Sequence, residues 1–125
     1  MTEYYDNNYP RATRRGAATG KYNCYSYAWY SRTTSNAYFL VRSSRNAYIN
    51  DGSYVRYTGT PYSGVIVDYG STADHAAVCN GSLLADVPYV VSKWGIYGLY
   101  EHLLGYCPYA MSGIVPTYTY YKPNY

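Results

Sequence analysis

Cys24 and His75 are the two residues of this chain whose types and settings could do chemistry together. Cys24 stands in Asn23-Cys24-Tyr25-Ser26-Tyr27-Ala28-Trp29, and His75 opens His75-Ala76-Ala77-Val78 further along. A cysteine thiolate attacks a carbonyl carbon, and an imidazole within hydrogen-bond reach takes the thiol proton and later returns it to a leaving amine. The pair therefore predicts cleavage of an amide bond through a thioester, with the Cys24 backbone N–H contributing to an oxyanion hole. A third group must orient the imidazole. Ser92 can accept its N–H weakly through a hydroxyl, whereas Lys93 has no acceptor. A backbone carbonyl, a water or Asp86 from a folded-back loop would also serve, and Asp74 would point away on a regular strand. The plainer reading is that Cys24 is a small buried hydrophobe and His75 a core histidine.

The elements that must position these residues can be read from periodicity and punctuation. Asn23 is an N-cap candidate, and Cys24, Tyr27, Ala28 and Ser31 share one helical face, which predicts a short helix with Cys24 on its first turn. Unpaired backbone N–H groups there favour a thiolate. A second short helix is expected around Ser44 to Ile49, ended by Asn50-Asp51-Gly52, while Ser35 to Val41 reads equally as helix or strand. Strands are expected at Ser53–Tyr57, Gly64–Tyr69, His75–Cys79 and Tyr89–Trp94, with Asn80-Gly81 as a hairpin turn. Residues 1–21 read as a leader segment and 22–125 as a single domain, together an α+β fold of short N-terminal helices packed on an antiparallel sheet.

Composition narrows the function classes. With 48% apolar residues and 14% charged, the chain folds around a core. A net charge of +3, concentrated near Arg11, Arg14 and Arg15, is too small to argue for a nucleic-acid partner. No apolar run reaches membrane-spanning length, so no membrane insertion is expected. Neither a metal nor another cofactor is expected, because the two histidines and three cysteines lack a ligand spacing. Cys79 and Cys107 leave a disulfide open. Twenty-two tyrosines supply flat amphipathic surface. Tyr25 and Trp94 are the candidates to wall a groove, and His102 reads as a surface histidine. The tail from Val115 to Tyr121 is a charge-free β-prone run that could add a strand to a neighbouring chain.

The motif Cys24-x-x-Tyr27-Ala28 followed by His75-x-Ala77-Val78 resembles the CHAP amidase and NlpC-type branches of the papain-like cysteine hydrolases. Asp51-Gly52-Ser53-Tyr54-Val55, Val91-Ser92-Lys93-Trp94-Gly95 and Cys107-Pro108-Tyr109 are similar to a narrower bacterial subgroup. The resemblance runs from about Arg15 to Tyr109 and implies a papain-like fold acting as a cysteine amidase or peptidase. It implies Cys24, His75 and Ser92 as catalytic residues, and a cell-wall or other extracellular peptide as substrate and partner. An extracellular or cell-wall location follows, although Met1-Thr2-Glu3-Tyr4-Tyr5 carries no signal-peptide core. The chain departs from the family at Gly64-Val65, where a Gly-Asp pair is common, and at Ser92-Lys93-Trp94, where CHAP amidases carry a carboxylate or amide. These departures carry the alternative expectation of a catalytically inactive, tyrosine-rich binding or assembly module.

Overall fold

In the computed structural model the described residues are 7–17, 19, 21–29, 32, 46–70, 75–94, 97–109 and 116–124. Asp74, Gly95 and the stretch 35–41 lie outside them. The described chain is dominated by one seven-stranded sheet, with strands β1 (Thr13–Gly16), β2 (Tyr54–Tyr57), β3 (Ile66–Tyr69), β4 (His75–Leu84), β5 (Val87–Lys93), β6 (Leu99–Leu103) and β7 (Tyr118–Pro123). Two short helices accompany it, α1 (Cys24–Trp29) and α2 (Asn46–Asn50). The strand order is β1-β6-β5-β4-β3-β7-β2, and every pairing is antiparallel. This corrects the expected α+β papain-like fold: the architecture is a mostly antiparallel β-sheet rather than a helical layer on a sheet. The physical reason lies in the segments flanking the motifs. Residues 13–16, 99–103 and 118–123 all join the sheet as strands and extend it at β1 and β6 and through β7.

The helix at Cys24 forms as its sequence predicts. Asn23 Oδ1 accepts the Ser26 N–H at 3.1 Å, and Ser26 Oγ accepts the Asn23 N–H at 2.9 Å, a reciprocal cap. Six residues are too few to hold a helix in water without tertiary support. Packing supplies it: Cys24, Tyr25, Ala28 and Trp29 form one buried cluster with Ile66, Ala76, Val78 and Tyr121.

The second face of the sheet carries the other cluster, in which Val65, Val67, Tyr69, Ala77, Cys79, Val90, Trp94 and Tyr100 are joined by Leu104 and Cys107. Tyr9, Ala12 and Tyr109 pack over it. Period-two alternation makes these the two faces of the same strands, so β4 sends Ala76 and Val78 toward α1 and Ala77 and Cys79 away from it.

Two local expectations are corrected here. Asn80-Gly81 is not a hairpin turn but lies inside β4, where the register with β5 shifts between Cys79 and Leu83 and Gly81 takes φ +95°. The turn falls instead at Ala85-Asp86, both at positive φ, between the paired Leu84 and Val87. The tyrosine-rich tail is not a spare strand for a neighbouring chain, because β7 is hydrogen-bonded to β3 on one side and β2 on the other. No helix among the described residues is long and apolar enough to cross a membrane.

Candidate functional site

Cys24 faces the sheet from the first turn of α1 and is 6% exposed. Beneath it on the same face is Lys93, which alternation places opposite to Ser92 and Trp94 on β5. Lys93 is fully buried. Its Nζ donates to the Thr19 carbonyl at 2.6 Å and lies 4.8 Å from the centroid of the Tyr22 ring. Burial pushes the Lys93 ammonium down to about 8, and its electrostatic interaction with Cys24 opposes that shift. Asp68, buried on β3 and paired with Ala76, belongs to this face as well.

His75 is on the other face. It pairs across the ladder with Tyr69, packs edge-on against that ring at 4.9 Å, and stacks on Tyr109 at 3.9 Å. Among the described residues neither ring nitrogen has a hydrogen-bond partner, and His75 is fully buried. Burial, with the nearby His102 adding to it, drives its pKa well below the usual histidine range. The sheet therefore stands between Cys24 and His75, and the expected nucleophile and base are not brought together.

Ser92 does meet a histidine, but it is His102. Its Oγ is 2.7 Å from His102 Nε2, while His102 Nδ1 is 2.7 Å from the Leu103 carbonyl. A carbonyl only accepts, so Nδ1 carries the proton and Nε2 accepts the Ser92 hydroxyl. Ser92 Oγ in turn accepts the Trp94 Nε1–H at 3.0 Å. This relay has the polarity of a serine nucleophile, a base and an orienting carbonyl. All three side chains are completely buried, however, and each of these polar atoms is satisfied inside the core. His102, expected at the surface, is a core residue whose pKa burial lowers to about 4.

Trp94 is fully buried and stacks on Tyr100 at 3.9 Å, and Tyr25 is 4% exposed in the α1 cluster, so neither walls an open groove. Asp86 occupies the exposed tip of the β4–β5 hairpin. All three cysteines are buried thiols, and burial raises Cys79 to about 12. Among the described residues no three His, Cys, Asp or Glu side chains are grouped to hold a metal.

Open concavities lie elsewhere, on the α1 side of the sheet. One of about 240 Å³ is lined by Arg11, Thr13, Asn80, Ser82, Tyr89 and Glu101. Another of about 160 Å³ shares Arg11 and Tyr89 and adds Leu84, Leu103 and Tyr106. Sequence reasoning did not single out these residues as a set, because they come from β1, β4, β5, β6 and the loops flanking β1 and β6. It weighed Lys93 only as an orienter of the imidazole, because its burial beside Cys24 depends on the facing of β5. Compared with known protein families, curated proteins and solved structures, the chain matches none.

Proposed function

We propose that this chain is a tyrosine-rich binding module that takes its ligand on the open part of the α1 face and uses no thiol as a nucleophile. The observation that carries this reading is the separation of Cys24 and His75 by the sheet, with both side chains buried. A base that cannot reach the thiol cannot take its proton. The surface that remains open presents an arginine, hydroxyls and two tyrosines to solvent.

A second reading keeps the amide chemistry implied by the Cys24 motif and rests on the Lys93–Cys24 pair. Neutral Lys93 would accept the thiol proton, the thiolate would attack the carbonyl carbon to form a thioester, and the ammonium would return the proton to the departing amine. Water would then release the acid. With Lys93 near 8, such a rate would rise with pH through about 8 and not through the histidine range.

Incubation with peptidoglycan stem peptides, followed by mass spectrometry, separates the two readings. The binding reading expects no cleavage that distinguishes wild type from Cys24→Ser. Cleavage lost in Cys24→Ser would overturn it, and the pH profile would then show whether Lys93 is the base.

A further inference from the structure

The two adjoining concavities differ in kind and share a cation. In the larger one the Glu101 carboxylate is already satisfied, with one oxygen accepting from Arg15 and the other from the Asn80 amide. Arg11 is not so neutralised. Its guanidinium lies 4.5 Å over the Tyr106 ring and is paired with no carboxylate among the described residues. The Thr13 and Ser82 side chains line the same space. The smaller concavity is apolar, formed by Leu84, Leu103, Tyr89 and Tyr106. Leu84 is 53% exposed, and Val87, its cross-strand partner on the same face, is 40% exposed. An exposed apolar patch rimmed by polar groups marks an interaction surface.

At about 160 Å³ the apolar space is far below the roughly 300 Å³ at which small-molecule sites begin, and suits a single side chain. A guanidinium stacked on an aromatic ring keeps its N–H fork free for a planar anion, and that fork matches a carboxylate. Resting on the binding reading above, we infer that this surface captures the C-terminus of a peptide whose last residue is aliphatic or aromatic. The α-carboxylate sits on Arg11 beside the Thr13 and Ser82 hydroxyls, and the terminal side chain enters between Leu84, Leu103 and Tyr89. A terminal carboxylate and its own side chain diverge from one carbon, as these two spaces diverge from Arg11 and Tyr89.

The test is an amide NMR titration of the full chain with acetyl-Gly-Gly-Leu, with its C-terminal amide, and with acetyl-Gly-Gly-Gly. The free-acid leucine peptide is expected to shift Thr13, Ser82 and Tyr89, and both the amide peptide and Arg11→Gln should weaken binding about tenfold. The glycine peptide should also bind more weakly, and Leu84→Ser should erase the difference between leucine and glycine. Lys21→Gln controls for loss of general positive charge and should leave affinity unchanged. Equal binding of acid and amide, equal binding of leucine and glycine peptides, or the absence of shifts at these residues would each overturn the inference. Shifts confined to another part of the open α1 face would do so while leaving the binding reading standing. Consumption of the peptide that disappears in Cys24→Ser would overturn that reading itself.

Discussion

Lowering the pH from about 7 to about 5 is expected to destabilise the protein by at least about 2 kcal/mol before its carboxylates titrate appreciably. His102 holds Nε2 as an acceptor for Ser92 inside the core, and burial lowers its pKa to about 4 from the ordinary 6.5. Between those values the unfolded chain binds the proton and the folded chain does not, so stability falls as pH falls through this window. Above the ordinary histidine value the stabilisation is complete. The full difference for His102 alone corresponds to roughly 3 kcal/mol, and His75, shifted in the same direction, adds to it. Urea unfolding followed across this range checks the sign and the size. His75→Phe sharpens the test, because it keeps the ring stacked on Tyr109 and removes two buried nitrogens that lack partners among the described residues. That variant should be at least as stable as wild type at neutral pH and less acid-sensitive. An unfolding free energy that stays flat from about pH 7 to about pH 5 would contradict the buried neutral histidines.

Replacing Trp94 by Ala should cost about 3–5 kcal/mol, the largest single-residue effect expected in this molecule. Trp94 is fully buried, stacks on Tyr100, meets the edges of Tyr9 at 5.2 Å and His102 at 5.5 Å, and donates to Ser92. Its removal would open a cavity under the N-terminal segment and withdraw a donor from the Ser92–His102 relay. Trp94→Phe keeps most of the packing and loses only the indole N–H, so a cost nearer 1–2 kcal/mol is expected for it, about one hydrogen bond plus a small void. Equilibrium denaturation of both variants provides the measurement. A residue that served only to line a peptide groove would change binding and leave stability within about 0.5 kcal/mol.

The two predictions show which parts of the molecule were legible in the sequence. Asn23 and the spacing of Cys24 and Ala28 marked α1, and the Val-rich runs around Val55, Ile66, Val78 and Val90 marked four strands near their observed places. β1 escaped because Thr13-Arg14-Arg15-Gly16 has no apolar alternation. It is an edge strand whose charged residues face solvent, with Arg15 paired to Glu101. β6 escaped because His102 reads as a surface residue, whereas Tyr100 and His102 are both buried on the face opposite α1. The fold class failed through these omissions, since each added strand moves the chain from a helix-plus-sheet layer toward a continuous sheet. The facing of His75 could not be read for a different reason. Both sides of β4 are small and apolar, Ala76 and Val78 on one and Ala77 and Cys79 on the other, so the alternation says that His75 and Ala76 part company without saying which of them meets α1. That facing decides whether Cys24 has a base.

The measurement that tests this separation most directly is the iodoacetamide alkylation rate of Cys24, read by mass spectrometry in wild type and His75→Phe across pH. The folded protein is expected to react about a hundredfold more slowly than the unfolded chain, as a thiol that is reached only by local opening. His75→Phe should leave that rate unchanged above the ordinary histidine pKa of about 6.5, where the imidazole is neutral in both folded and unfolded chains. Rapid alkylation well below the ordinary thiol pKa of about 8.5, lost in His75→Phe, would place the thiol and the imidazole side by side and contradict a sheet that divides them.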